Sequence, residues 1–163
     1  MQRRELFGSI ASALGGDSES KVEVILRPPY NSDESLFNNE CKNCEGKCAT
    51  VCEVEIIKIH EDKTPYLSFE NSGCTFCDDC VSACEFGVLS LENKKNVNAR
   101  INILVSSCMS WHETMCFSCK DPCLEDAIVF AGLFKPVIDE SKCTACGFCI
   151  SRCPTSAIEI EGF

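Results

Sequence analysis

Residues 143–154 read CTACGFCISRCP and place four cysteines at gaps of two, two and three residues, with a proline directly after the last. Three thiols within seven residues can wrap around one corner of a cubane, and this spacing with its trailing proline is typical of bacterial iron–sulfur sites. A structural zinc site more often takes two CxxC pairs that are separated by about 12–20 residues. The stretch therefore predicts a segment that folds around a [4Fe–4S] cluster.

Three more runs of four cysteines precede this one in the 163-residue chain, and the first cysteines of the four runs lie at positions 41, 74, 108 and 143. The second run, CTFCDDCVSACE, has the same spacing as the fourth, with Glu85 in place of the proline. We predict that all sixteen cysteines bind metal as parts of four [4Fe–4S] clusters. The candidate ligands are Cys41, Cys44, Cys48, Cys52, Cys74, Cys77, Cys80, Cys84, Cys108, Cys116, Cys119, Cys123, Cys143, Cys146, Cys149 and Cys153.

Disulfides and zinc are the alternatives for so many cysteines. A disulfide framework gains most when its bridges close long loops, whereas most of these cysteines are packed into runs of eleven or twelve residues. The spacing therefore favours clusters over disulfides. A cysteine-rich zinc module is the remaining alternative, and iron analysis separates it from an iron–sulfur protein.

Two runs depart from the regular spacing. The first has one extra residue between Cys44 and Cys48, where Gly46 can adopt the positive φ that a bulge needs. The third has seven residues between Cys108 and Cys116, and a loop of this length adds little entropic cost to bringing both sulfurs together. We expect Trp111 and Met115 in this insert to shield the cluster. The alternative is a degenerate unit that has lost its cluster, but such a loss should also have scattered its cysteines.

Apolar residues recur at fixed offsets from every run. The fourth, fifth and seventh residues after the last cysteine are apolar in all four units, as is the fifth residue before the first cysteine. These positions are Ile56, Ile57, Ile59, Val88, Leu89, Leu91, Ala127, Ile128, Phe130, Ala157, Ile158, Ile160, and Leu36, Phe69, Ile103, Ile138. Their alternation predicts a short strand on each side of the cysteines, with a short helix between the third and fourth cysteines.

One such unit has too little apolar surface to close a core, so the units should pair. We therefore predict an α+β fold made of two tandem bacterial dicluster ferredoxin-like modules with short strands and short helices. The expected divisions are an N-terminal arm over residues 1–27, one module over 28–97 and a second over 98–163, with the break in the polar stretch 92–100. Much of the folding free energy of such small cores must come from the clusters.

In dicluster folds the fourth cysteine of one run ligates the cluster that the first three cysteines of the other run hold. Carried onto this sequence, the rule gives four sites: Cys41, Cys44, Cys48 with Cys84; Cys74, Cys77, Cys80 with Cys52; Cys108, Cys116, Cys119 with Cys153; and Cys143, Cys146, Cys149 with Cys123. The two histidines, His60 and His112, are expected at the surface, because sixteen cysteines already saturate four cubanes.

Charge and composition limit the function classes. A formal net charge of −10 disfavours nucleic acid and anionic membranes as partners and favours redox proteins with basic docking patches. No stretch approaches the length of a membrane-spanning helix. We find no catalytic Ser/His/Asp set, phosphate loop or flavin motif, so we expect a protein that is not an enzyme. The N-terminal Arg3 and Arg4 precede a broken apolar stretch, which favours an uncleaved cytoplasmic arm over an export signal.

The sequence resembles the NapF family of ferredoxin-type proteins, which are encoded with periplasmic nitrate reductases. The resemblance rests on RRELFG (3–8), RPPYNSDESLF (27–37), the four runs in order and the long-gap third run that ends in CKDPCLEDAIVF, and it covers nearly the whole chain. Two features depart from the family pattern: Tyr30 stands where tryptophan is usual, and the first run carries its extra residue. Neither departure removes a ligand.

The resemblance implies a cytoplasmic accessory protein that acts on the catalytic subunit of periplasmic nitrate reductase, in its precursor form, before export. The implied role is to help assemble or reduce the iron–sulfur cluster of that subunit. The residues alone indicate only an electron-transferring or cluster-carrying protein. A general electron-transfer ferredoxin, or an electron-wiring subunit of another redox complex, is therefore the alternative.

Overall fold

The structure is a computed structural model that describes residues 25–93 and 95–163. Its helices are α1 (Ser35–Glu40), α2 (Lys47–Thr50), α3 (Asp79–Ser82) and α4 (Phe148–Arg152), with short 3-10 helices at Cys41–Asn43 and Met109–His112. Its strands are β1 (Ile57–Ile59), β2 (Pro65–Leu67), β3 (Ala99–Ile103), β4 (Ile128–Ala131), β5 (Phe134–Ile138) and β6 (Ile158–Gly162). The expectations for Arg3, Arg4 and the rest of residues 1–24 lie outside the described residues.

Two antiparallel strand pairs close the C-terminal half of the chain. β4 pairs with β5 as a hairpin between the third and fourth cysteine runs, with Val129 opposite Val137. β3, which precedes the third run, pairs with β6, which follows the fourth, and Ile101 lies opposite Ile160. The strands predicted on both sides of these two runs are therefore confirmed.

Among the described residues of the N-terminal half there is one regular strand pair. β1 and β2 form a hairpin in which Ile57 lies opposite Leu67. β1 contains the predicted Ile57 and Ile59, whereas β2 ends at Leu67, two residues before the predicted position at Phe69. The strand predicted around Leu36 is wrong, because this residue lies in α1. The Asp33 carboxylate accepts the Ser35 N–H at 2.9 Å just where α1 begins, which satisfies a donor that a strand would leave free. The strand predicted over Leu89 and Leu91 is also wrong, since that segment consists of bends and a turn.

The residues before α1 take the place of the missing strand pair. The Tyr30 carbonyl accepts hydrogen bonds from the Ser90 N–H and from the Asn93 side-chain amide, each at 2.9 Å. The Tyr30 φ of 69° ends the extended segment, so these contacts do not continue as a ladder. Pro28, Pro29 and Tyr30 are buried, which shows that this lead-in is packed into the N-terminal half.

Arg27 anchors the same lead-in on the β1–β2 hairpin. Its guanidinium donates to Thr64 Oγ1 at 3.0 Å and to the Pro65 carbonyl at 2.7 Å. It also lies over the ring of Phe37, 5.2 Å from its centroid. These contacts favour a structural spacer over a free strip for partner recognition.

One apolar core runs through both halves. The residue four positions after each run, Ile56, Val88, Ala127 or Ala157, is at most 2% exposed. The most completely buried large side chain is Phe37 of α1, which the fixed offsets did not single out. No helix in the described residues is long and apolar enough to cross a membrane.

Candidate metal centres

Short helices place the cysteines at the edge of the core. α2, α3 and α4 carry the third cysteine of the first, second and fourth runs, as predicted, whereas the third run has only turns at this point. Cys80, Cys119 and Cys149, the third cysteines of the last three runs, are buried, and only Cys77 among the sixteen is exposed. All sixteen thiols are free, so the structure gives no support to the disulfide alternative.

Four cysteines from two different runs line a cavity between β4, β5 and α4. They are Cys143, Cys146 and Cys149 of the fourth run and Cys123, the last cysteine of the third run. The cavity holds about 360 Å³ of space between atoms, part of it open to solvent, and its walls include Ile101 and Ile128. An apolar cavity that is lined by four cysteines has the donor set that a cubane requires.

A second cavity repeats this arrangement with the partners exchanged. It is lined by Cys108, Cys116 and Cys119 of the third run together with Cys153, the last cysteine of the fourth, and holds about 340 Å³ of such space. The insert of the third run therefore leaves Cys108 beside the other three cysteines.

The insert folds differently from our expectation. Met109 lines the cavity, whereas Met115 is 66% exposed and does not. The indole N–H of Trp111 donates to the Pro136 carbonyl at 3.1 Å, which ties the insert to β5. The predicted shielding by Met115 is therefore wrong, since this side chain points to solvent, and Trp111 contacts the neighbouring strand.

The N-terminal half shows the same exchange in its electrostatics. Burial, followed by the charges of Cys44 and Cys84, raises the pKa of the Cys41 thiol to about 11. Cys84, the last cysteine of the second run, therefore lies among the cysteines of the first. Burial likewise raises the pKa of Cys74 to about 11, and there the charge of Cys52, the last cysteine of the first run, contributes.

The largest increases fall on the buried third cysteines of the regular runs. Burial first, then the charges of neighbouring cysteines, raises the pKa of Cys80 and that of Cys149 to about 12 each. A thiolate in such a place is unfavourable unless a cation compensates it. Metal binding supplies that compensation and releases the thiol protons, so the sites are better suited to metal than to free thiolates.

Backbone N–H groups point at the last cysteine of three runs. Leu89 donates to Cys84 Sγ at 3.4 Å, Ala127 to Cys123 Sγ at 3.3 Å, and Ala157 to Cys153 Sγ at 3.1 Å. Such bonds stabilise sulfur ligands and tune reduction potential. The sequence pattern marks these segments only as apolar positions and does not reveal this role.

The extra residue of the first run and Glu85, which replaces the proline in the second run, lie close together in space. Gly46, in the longer loop of the first run, has a φ of 73°, which confirms its predicted backbone role. The next residue, Lys47, places its Nζ atom 2.5 Å from Oε1 of Glu85, which replaces the usual proline of the second run. Because both side chains are exposed, this pair contributes little to stability, but it shows that the longer loop of the first run faces Glu85 of the second.

The histidines lie at the surface, as predicted. His60 stacks on Tyr66 with ring centroids 4.1 Å apart, and a His112 ring nitrogen lies 3.1 Å from the Ser106 carbonyl oxygen. In the described part of the chain, no three His, Cys, Asp or Glu side chains converge on a point that would hold a single ion. The cysteines of the C-terminal half surround cavities instead.

Family models match two segments of the chain. Residues 40–88, which hold the first two runs, match a 4Fe-4S dicluster domain, and residues 136–159, which hold the fourth run, match a 4Fe-4S binding domain. Neither match includes the third run.

Curated relatives match the chain over most of its length. It is 34% identical to the ferredoxin-type protein NapF of Haemophilus influenzae over 165 residues, which cover 98% of this chain and 93% of that protein. It is 31% identical to NapF of Escherichia coli (strain K12) over 145 residues, which cover 86% and 87%. The methylamine utilization ferredoxin-type protein MauM of Methylophilus methylotrophus is 28% identical over 194 residues, which cover 98% of this chain and 85% of MauM. With two such NapF matches and 4Fe-4S domain models on both halves, the chain belongs to the NapF family of ferredoxin-type iron–sulfur proteins.

Proposed function

We propose that the chain carries four [4Fe–4S] clusters in two tandem dicluster modules, over residues 28–97 and 98–163. Each cluster takes three cysteines from one run and the last cysteine from the other run of its module. We call them sites one to four, after the run that supplies the three cysteines. When bound, the clusters supply one-electron redox chemistry, and the chain holds, shields and spaces them.

The observation that carries this proposal is the exchange of cysteines in the C-terminal half. Cys123 lines the cavity of the fourth run, and Cys153 lines the cavity of the third. If the cysteines were grouped by chance, we would not expect the last cysteine of each run to line the cavity of the other run in both cases. The charges that act on Cys41 and Cys74 support the same exchange in the N-terminal half.

The irregular third run supports a working site. Its four-cysteine cavity has nearly the volume of the fourth-run cavity, and the Trp111 hydrogen bond to Pro136 holds the insert in a defined place. A unit that had lost its cluster would not need a closed loop that returns Cys108 to the other cysteines.

Metal analysis of anaerobically purified protein tests the cluster assignment. Four cubanes require about sixteen irons and about sixteen acid-labile sulfides per chain, with little zinc. About twelve irons and twelve sulfides per chain would show that one of the four proposed sites holds no cluster. Zinc in place of iron would overturn the proposal. The matched control is the same protein with Cys108→Ser, which should lose about four irons.

We also propose that the protein is a cytoplasmic accessory factor, not an enzyme, that helps the catalytic subunit of periplasmic nitrate reductase to acquire or reduce its cluster before export. Membership of the NapF family supports this role, as does the acidic surface that suits a basic docking patch on the precursor.

Capture of the precursor tests the accessory role. Tagged protein should retain the nitrate reductase precursor from anaerobic extracts, whereas the precursor of an unrelated exported molybdenum enzyme serves as the specificity control. Normal maturation of nitrate reductase in cells that lack this protein would refute the role. It would leave the cluster assignment intact, because iron content is measured separately.

A general electron carrier is the second candidate, and one observation favours it. The similarity to MauM extends over 98% of this chain, and the name of that protein refers to methylamine utilization. A protein that is similar over nearly the whole chain is therefore named for a different system. Rapid reoxidation of the reduced chain by several unrelated redox proteins, without preference for the nitrate reductase precursor, would favour this candidate.

A further inference from the structure

Two glycines lie where the N-terminal half contacts the C-terminal half. A Cβ atom on Gly73 would lie only 2.4 Å from the Phe148 amide nitrogen and 2.7 Å from the Cys146 carbonyl oxygen. A Cβ atom on Gly147 would lie 2.3 Å from the ring of Phe69. Because each glycine lacks a side chain, the opposite half can pack against its backbone. A side chain on either glycine would clash with the other half.

Backbone hydrogen bonds join the halves at the same place. The Cys74 N–H donates to the Cys146 carbonyl at 2.7 Å, and the Val97 N–H donates to the Thr144 carbonyl at 3.1 Å. Cys74 begins the second cysteine run, and Cys146 lies within the fourth. Gly147 also lines the cavity of the fourth run.

We infer that Gly73 and Gly147 are positioning residues that hold site two against site four, so that these two sites form the pair across which the halves communicate. This inference rests on the proposed cluster positions. Because sites one and two share one module and sites three and four the other, the contact sets a row in the order one, two, four, three. An electron given up at site two and accepted at site four needs no further reactant, and sites one and three become the two ends of the row.

Alanine at either glycine tests the contact in the full-length, cluster-loaded protein. Gly73 lies outside the left-handed region of φ, so Gly73→Ala adds the steric clash alone. We expect it to push the halves apart and to weaken the spin–spin interaction between sites two and four in the EPR spectrum of the reduced protein. The interactions within each half should remain, and iron content should stay at the wild-type value.

Gly147→Ala combines a clash with a φ of +85°, so it needs a control for backbone strain. Gly132 provides one, because it has a φ of +70° and no heavy atom within 4 Å of an added Cβ. Gly132→Ala should therefore leave the spin–spin interactions unchanged, while Gly147→Ala weakens the interaction between the halves. Replacing Phe69 by alanine in the Gly147→Ala protein removes the clashing ring and should restore part of the interaction.

Hydrogen exchange of the unmodified protein tests the contact without depending on any variant to fold. The Cys74 and Val97 amides should exchange slowly in the cluster-loaded wild type, since each donates to a carbonyl of the other half. Complete exchange of both at the earliest time point would overturn the inference. So would wild-type spin–spin interactions in Gly73→Ala and Gly147→Ala proteins that retain full iron. A wild-type protein without iron would instead refute the proposed function, so the two failures are distinguishable.

Discussion

The two halves of the molecule solve the same folding problem with different means. The C-terminal half joins its outer ends by five residue pairs between β3 and β6, whereas the N-terminal half joins them through two neighbouring residues, Tyr30 and Asn31. Both halves must bring the segment before their first cysteine run to the segment after their last. A backbone ladder spreads this task over many hydrogen bonds, while the N-terminal half relies on the Tyr30 carbonyl and on the Asn31 side-chain amide, which donates to the Val88 carbonyl at 2.8 Å.

Tyr30 makes contacts that no residue of the β3–β6 pair needs. Its ring meets the edge of Phe76 at a centroid distance of 6.4 Å, and its hydroxyl donates to the Asp78 carboxylate. Burial, together with the hydrogen bond to Asp78, raises the pKa of the Tyr30 hydroxyl, which stays protonated and acts as the donor. Because Phe76 and Asp78 lie between ligands of the second run, this residue connects the closure of the N-terminal half to a proposed metal site.

The largest predicted effect follows from removing the clusters. Both halves have short strands and helices of four to six residues, so neither has enough regular structure to fold without metal. Extraction of iron with an anaerobic chelator and oxidant should abolish most of the far-UV circular dichroism. We expect the N-terminal half to exchange its amide hydrogens first as the clusters are lost, since the C-terminal half has two strand pairs to unfold and the described N-terminal residues have one. An apoprotein with the spectrum and exchange pattern of the loaded protein would contradict the proposed role of the clusters in folding.

Loss of one exchanged cysteine should have the next largest effect. Cys84→Ser and Cys153→Ser each remove a last cysteine that accepts a backbone N–H. Each variant should lose about four irons, from site one and site three respectively. The first should destabilise its half more, because the N-terminal half lacks the second strand pair.

Resonance assignments or hydrogen exchange near Cys41 and Cys108 locate the lost site. Disturbance around Cys74 in Cys84→Ser protein, with Cys41 unaffected, would show that each run binds its own cluster. The exchange of ligands between runs would then be wrong.

The sequence predicted the C-terminal half better than the N-terminal half, for a physical reason. Ile128 and Ile158 follow their runs at a fixed offset and find strand partners in β5 and β3. Leu89 lies at the same offset and is buried, yet it has no strand partner, because the chain before α1 ends its extended course at Tyr30. Offsets predict burial, but a strand also needs a partner, and the partner is a property of the whole fold.

The candidate metal sites, like the fold, could be predicted from the sequence only in part. The spacing of the cysteines indicated which residues belong together, and the rule for dicluster folds indicated which one to exchange. The contacts that Gly73 and Gly147 make with the opposite half could not be predicted in this way. Gly73 lies against Cys146 and Phe148, and Gly147 lies against Phe69, all distant in sequence. A glycine beside a cysteine run can equally serve a tight turn or a close approach of the backbone to the cluster.

Substitution of Tyr30 tests how much its buried side chain stabilises the N-terminal half, since the hydrogen bonds of its backbone carbonyl are kept in every variant. Tyr30→Ala should lower the free energy of unfolding by about 3–5 kcal/mol, because a buried aromatic side chain is lost. Tyr30→Phe keeps the ring and should lower it by about 1–3 kcal/mol, since the Asp78 carboxylate loses its donor. Anaerobic denaturant titration of the loaded protein measures both.

Tyr66 is the matched control, because it is half-buried and stacks on His60. Tyr66→Phe should change the free energy of unfolding by no more than about 0.5 kcal/mol. Equal effects of the two Tyr→Phe changes would show that the Tyr30 hydroxyl and its bond to Asp78 do not stabilise this half.

The smallest predicted effect concerns hydroxyl groups near sulfur in the C-terminal half. Ser118 Oγ lies 3.6 Å from Cys116 Sγ, and Thr155 Oγ1 lies 3.8 Å from Cys153 Sγ, both at site three. A metal-bound thiolate can only accept, so the hydroxyls would donate and stabilise the more negative, reduced state. Each is worth about 0.5–1.5 kcal/mol, which corresponds to roughly 20–60 mV for one electron. Ser118→Ala and Thr155→Val should therefore each lower the reduction potential of one cluster by this amount in an EPR-monitored titration.

Ser151→Ala is the control, because the Ser151 hydroxyl donates to the Phe148 carbonyl at 3.5 Å and not to a sulfur atom, so this variant should leave every reduction potential unchanged. If all three variants titrate like the wild type, hydroxyl groups do not distinguish site three, and the difference between the halves is confined to how their chains are closed.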